Sequence, residues 1–122
     1  MVNLAKVVLE NNVFEFDSKV YRQKLGTAIG TKFAPAYANL FTADFEKKLL
    51  DGSVDKPLVW LRYIDDVFFI WSRGLRKLDS FLEYINSFHE TIKFTSESSK
   101  EGVCLLNAMV VRKECVLETD LY

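Results

Sequence analysis

The sequence predicts an α+β fold, with helices packed on one face of a largely antiparallel sheet. Three observations lead there. Residues 75–89, LRKLDSFLEYINSFH, place Leu78, Phe81, Leu82, Ile85 and Phe88 on one helical stripe, with Asn86 on the opposite side. Residues 57–71 hold two apolar runs, PLVWLRY and VFFIW, joined through Ile64-Asp65-Asp66 as a hairpin would be. The segments around them alternate helix, hairpin, loop, helix, hairpin, helix and strands, with no repeat, low-complexity tract or linker to divide the 122 residues.

Taken in order, residues 3–11 read as the last turns of a helix, with Leu4, Val7 and Val8 on one face. VFEF and KVYRQ flank Asp17-Ser18, a hairpin signal. The glycines of LGTAIGTKF make a loop, and Pro35 suits the first turn of the helix that follows. AYANLFTADFEKKLL continues at helical period through Leu40, Phe41, Phe45 and Leu49, until Gly52 and Pro57 bracket a loop. Beyond the amphipathic 75–89 come three segments of strand character: IKFTSE (92–97), VCLLNAMVVRK (103–113) and CVLETDLY (115–122).

Composition narrows the function classes. With 49% apolar and 27% charged residues the chain is globular rather than disordered. Ten Phe, five Tyr and two Trp supply core material and stacking surfaces. A net charge of −1 argues against a uniformly cationic surface, so any nucleic-acid contact has to be local. No membrane association is expected, because Arg62, Asp65 and Asp66 interrupt the most apolar stretch. Cys104 and Cys115 are too few for a disulfide framework and read as free thiols of a reducing compartment.

The run RYIDDVFFIW (62–71) carries the chemistry. An ionised carboxylate removed from water costs several kcal/mol unless something compensates it. Three answers stand: Asp65 and Asp66 lie on an exposed turn, pair with a cation such as Arg62, or hold a metal. Strand alternation puts Leu61, Tyr63 and Asp65 on one face and Arg62, Ile64 and Asp66 on the other. The two aspartates therefore reach one site only where the chain bends. Mg²⁺ takes one or two protein carboxylates together with phosphate oxygens, which such a bend could offer. Asp is equally a common turn residue in its own right.

A second constellation precedes it. Between Asp17 and Asp44 there is no acidic residue, while Lys19, Arg22, Lys24 and Lys32 are basic. This positive segment contains Gly26 and Gly30, is rich in small residues and runs into a helix N-terminus that favours anions. The spacing from Gly26 to Lys32 is not that of a P-loop, being one residue short with Thr31 and Lys32 reversed. A plain turn before a helix remains the simpler reading.

Together the two constellations resemble a polymerase. Tyr63-Ile64-Asp65-Asp66 is similar to the Tyr/Phe-x-Asp-Asp motif of reverse transcriptase palms. QKLGTAIGTKFAPAYANLFTADFE (23–46) resembles the loop and helix that precede that hairpin in the same order. The closer resemblance is to reverse transcriptases of Penelope-like retroelements, through QKLGTAIGTKFAPAYANLF, WLRYIDDVFFIW, FLEYINSFHETIKFTSES and VLETDLY, nearly the whole chain. It implies a partial palm of ferredoxin-like, RRM-like architecture over residues 1–122, with a catalytic β-hairpin. It also implies RNA-directed DNA polymerase activity, a nucleotidyl transfer using Mg²⁺ or Mn²⁺, with RNA/DNA template-primer and dNTP as partners, in an intracellular, nuclear setting.

Residue by residue, the resemblance gives Asp65 and Asp66 as catalytic and metal-binding. Tyr63 resembles the aromatic residue beside the primer end. Gln23, Lys24, Gly26, Gly30, Lys32 and Pro35 fall in the segment that meets template and nucleotide, and residues 103–111 resemble the primer-gripping hairpin. Lys93 echoes a late palm lysine. The chain departs from the pattern at Ile29, where many reverse transcriptases have Gln. It departs again at Cys104-Leu105-Leu106-Asn107, where the Penelope group tends to read Asn-Phe-Leu-Asp. The palm's other metal-binding aspartate, its fingers and its thumb are not matched in 1–122, and Asp17 and Asp44 are misplaced to serve. The expectation is therefore a fragment without activity of its own, with an exposed sheet edge open to self-association. The rival expectation is a non-catalytic remnant or an adapted nucleic-acid-binding or interaction module on the same fold.

Overall fold

The computed structural model describes residues 2–28, 30–114 and 116–121, with side chains from Leu4 onward. Ile29, Cys115 and Tyr122 lie outside the described residues. The chain divides into two compact units, residues 1–45 and 46–122. A single helix, α2 (Ala34–Gly52), contributes to both.

In the first unit, α1 (Val2–Glu10) ends where Asn11 Nδ2 donates to the Val7 carbonyl at 2.8 Å. Its expected apolar face, Leu4, Val7 and Val8, is exposed rather than packed. β1 (Val13–Phe16) and β2 (Lys19–Arg22) pair antiparallel, Phe16 opposite Lys19, leaving the two-residue turn that the sequence signals. Asp17 and Ser18 both sit in the left-handed region, at φ 51° and 56°, as a type I′ turn requires. Asp is among the residues that tolerate it. Every residue of both strands is exposed. α2 starts at Ala34, whose N–H donates to Thr31 Oγ1 at 3.2 Å, and Pro35 falls in its first turn as expected. Leu40 and Phe41 are exposed although they fit the helical stripe, while Phe45 and Leu49 are buried.

In the second unit, the C-terminal part of α2 is followed by β3 (Val59–Tyr63), β4 (Asp66–Ile70) and α3 (Leu75–Ser87). Leu49, Leu78, Phe81 and Ile85 form the buried core. Phe81 stands among three rings, with centroids 6.3 Å from Trp60, 6.0 Å from Phe69 and 5.0 Å from Trp71. This seats the amphipathic face of α3 on one face of the hairpin. Helix meets helix where Tyr84 Oη donates to the Leu49 carbonyl at 3.0 Å. Gly52 makes room for that hydroxyl, since a Cβ there would lie 2.7 Å from it.

The strand expected at 92–97 does not form a ladder. In its place the Asn86 side chain brackets Phe94, accepting from its N–H at 2.6 Å and donating to its carbonyl at 3.1 Å. A side-chain amide thus satisfies the backbone that a neighbouring strand would have satisfied. Asn86 is half-buried by this role rather than idle on the far side of α3. β5 (Gly102–Leu105), β6 (Ala108–Lys113) and β7 (Val116–Leu121) make a separate antiparallel sheet in the order β5-β6-β7. The long segment 103–113 is itself a hairpin, folded at Leu106-Asn107. The α+β class stands, but among the described residues it takes the form of three helices with three small antiparallel sheets in place of one. No helix among the described residues is long and apolar enough to cross a membrane.

Candidate functional site

The β3–β4 ladder runs from Val59 opposite Ile70 to Tyr63 opposite Asp66. That register leaves Ile64 and Asp65 as a two-residue turn. Ile64 has φ 55°, whereas Asp65 is not among the left-handed residues, so the signs are those of a type II′ turn. Glycine is the usual occupant of that first position. A β-branched residue there is an outlier costing about 1–3 kcal/mol, and such strain gathers at functional sites.

The turn also corrects the expected alternation. Directly opposed residues share a face, so Asp66, not Asp65, projects with Tyr63 and Leu61. The other face carries Trp60, Arg62, Val67 and Phe69, and it is the one packed on the helices. Tyr63, Ile64, Asp65 and Asp66 are all exposed, so the carboxylates remain in water at the tip of an otherwise apolar hairpin.

Arg62 is not their partner. Its Nε lies 2.9 Å from Glu46 Oε2, with both side chains about five-sixths buried (16% and 15% exposed). That N–H is not aimed along the contact, so charge attraction rather than a linear hydrogen bond holds it. The second Glu46 oxygen accepts from Trp60 Nε1 at 2.9 Å. One carboxylate on α2 therefore grips two residues on the same face of β3. Arg62 Nη1 in turn donates to the Ile64 carbonyl at 3.0 Å, reaching the turn itself.

Among the described residues no cation stands within ion-pair distance of Asp65 or Asp66. The ion-pair answer to their clustering thus falls away, leaving the exposed turn and the metal. Two exposed carboxylates are hard oxygen donors and suit Mg²⁺ or Mn²⁺ with water and phosphate filling the other positions. They do not make a complete cage. No group of three His, Cys, Asp or Glu suited to a metal occurs among the described residues.

In the first unit, Gln23, Lys24 and Gly26 line a depression of about 400 Å³ together with Arg22, Leu25 and Tyr37, and with Leu9 and Glu10 of α1. Gln23 Nε2 donates to the Leu25 carbonyl at 2.8 Å and holds this bend closed. Gly26 and Gly30 have φ 76° and 99°, the left-handed region glycine favours. Among the described residues beyond its chain neighbours, nothing lies within 4 Å of where a Cβ on Gly30 would sit, which leaves room there for a flat group. Lys24, Lys32 and Pro35 are exposed.

Sequence reasoning missed three polar residues. Glu46 reads as one more charge in FEKKLL, yet it anchors the hairpin. Asn12 Nδ2 and Thr27 Oγ1 are buried with no hydrogen-bond partner among the described residues, beside a second depression of about 320 Å³ shared with Phe14 and Gln23. Buried polar atoms of this kind normally meet a water or ligand. Lys93, matched to a palm lysine by resemblance, donates to the Asn86 and His89 carbonyls at 2.5 and 3.0 Å and so caps the end of α3. No family model, no curated protein and no solved structure matches the chain.

Proposed function

We propose that the chain is part of a reverse transcriptase palm of the Penelope-like kind, with β3–β4 as its catalytic hairpin. One observation carries the reading: an acidic pair with no ion-pair partner among the described residues, at a turn held in a conformation its own Ile64 disfavours. Residues that serve only solubility do not need a strained support. Asp65 and Asp66 hold the divalent ion, which when bound supplies charge stabilisation for phosphoryl transfer. Tyr63, exposed and directly opposite Asp66, offers a ring for the terminal nucleotide to rest on. Lys24 and Lys32 neutralise backbone phosphates, and the open side of Gly30 admits a base. The partners are then template-primer and dNTP, in an intracellular, nuclear location.

A second reading has its own support. The acid-free segment forms most of the wall of its depression, with Leu9 and Glu10 of α1 completing it within the first unit, which suits an adapted module that binds nucleic acid without catalysis. Mn²⁺ titration followed by NMR separates the readings. Asp65→Asn and Asp66→Asn should each weaken the paramagnetic broadening at residues 63–67. Broadening unchanged in both variants would leave an exposed turn with no metal role and refute the catalytic reading.

A further inference from the structure

The Arg62 contact falls on the one carbonyl that decides the type of turn. In a two-residue hairpin the alternatives II′ and I′ differ by rotation of the central peptide, which changes ψ of the first loop residue and φ of the second. Here that peptide joins Ile64 to Asp65, and its oxygen is the one Arg62 Nη1 holds at 3.0 Å. A flip would carry Asp65 into the left-handed region and re-aim its carboxylate. Arg62 cannot easily swing away, because Glu46 fixes it 2.9 Å from the other side and is itself fixed by Trp60 at 2.9 Å. Both charged side chains are mostly buried, so each needs the other.

We propose that Glu46 and Arg62 are positioning residues that lock the central peptide of the Tyr63–Asp66 turn and so fix the direction in which Asp65 presents its carboxylate. The lock itself stands on geometry; its consequence for metal binding rests on the function proposed above. A rigid supporting pair matters because a tight turn at the end of a two-stranded hairpin has no neighbouring strand to hold it. The support reaches back to α2, whose own seat is the Leu49–Tyr84 contact with α3. In metal sites, groups that orient the ligands without touching the ion typically change affinity about tenfold or more when removed.

The test uses the full 122-residue chain. In the ion-free protein, Arg62→Met should let Asp65 sample positive φ, seen as a strengthened intraresidue HN–Hα contact or a second set of signals at 64–66. Glu46→Gln should do the same to a smaller degree, because it keeps an acceptor for Trp60. Arg62→Lys, which keeps the charge but cannot serve both sites, should behave like Arg62→Met. Mn²⁺ affinity at the turn should fall about tenfold in Arg62→Met. The decisive variant adds Ile64→Gly to Arg62→Met. Glycine at the first position favours type II′ unaided, so it should restore both the Asp65 geometry and most of the Mn²⁺ affinity. General loosening of the hairpin would not be rescued this way. Unchanged Asp65 geometry in Arg62→Met, or a loss that Ile64→Gly leaves unrepaired, overturns the lock. If Asp65→Asn and Asp66→Asn leave Mn²⁺ broadening untouched, the metal reading fails while the ion-free signals still decide for or against the lock.

Discussion

Asn86→Ala is the substitution on which sequence and structure disagree most. On the helical wheel Asn86 stands opposite the packed stripe, and truncating it should cost little. In the structure it accepts from Phe94 N–H at 2.6 Å and donates to the Phe94 carbonyl at 3.1 Å. Each bond is worth about 0.5–1.5 kcal/mol net, and more if its half-buried partner is left unsatisfied. Alanine returns about 0.5 kcal/mol of helix propensity. The net loss should therefore be about 0.5–2.5 kcal/mol, towards the upper end where the Phe94 backbone is left unsatisfied, large beside the stability of a small domain. A second effect follows, because the same bracket holds the Phe94 ring 6.4 Å from Trp60. Urea unfolding followed by tryptophan emission measures the first, and hydrogen exchange of the Phe94 amide the second. Asn86→Asp should keep the bond from Phe94 N–H and lose only the one to the carbonyl, falling between. A loss under about 0.5 kcal/mol with Phe94 exchange unchanged would refute the bracket.

Other outcomes can be checked in the same protein. Phe81→Ala removes the ring at the centre of the Trp60, Phe69 and Trp71 cluster and should cost about 3–5 kcal/mol in urea unfolding, with loss of near-ultraviolet dichroism. Gly52→Ala should destabilise, because its Cβ would meet Tyr84 Oη at 2.7 Å. In a Tyr84→Phe background the same change should become neutral or stabilising, and a cost that persists there would place the conflict elsewhere. Single-stranded oligonucleotide binding, read by fluorescence anisotropy, should be weak, fall with salt and vanish on reversing Lys24 and Lys32 to Glu. Binding that survives the double reversal places the contact outside that segment.

What the sequence made legible was local. Asp17-Ser18 announced a hairpin by turn chemistry alone, and Pro35 announced a helix start. The stripe of α3 was right at Leu78, Phe81 and Ile85 because burial enforces its period. The faces of β3 and β4 were not legible across the turn. Alternation holds along a strand, and two loop residues reset it, so Asp66 took the place assigned to Asp65. Residues 92–97 have strand composition, but their partner is the Asn86 side chain, which no periodicity encodes. Glu46 escaped notice because its meaning lies 14 residues away at Trp60 and just beyond at Arg62.

The β1–β2 hairpin has a kinetic consequence. All eight of its strand residues are exposed, including Val13, Phe14, Phe16 and Val20, and Phe14 stacks on Tyr21 across it at 5.6 Å. Two strands with so little covered surface sit at the low end of local stability. Their amides should exchange through brief local opening, long before those of α3 exchange through global unfolding. A protease offered the native protein in low amounts should begin at Asp17-Ser18, since a two-residue tip that opens readily fits an extended cleavage site. The cutting rate would then report how often this hairpin opens, independently of how stable the helical core is.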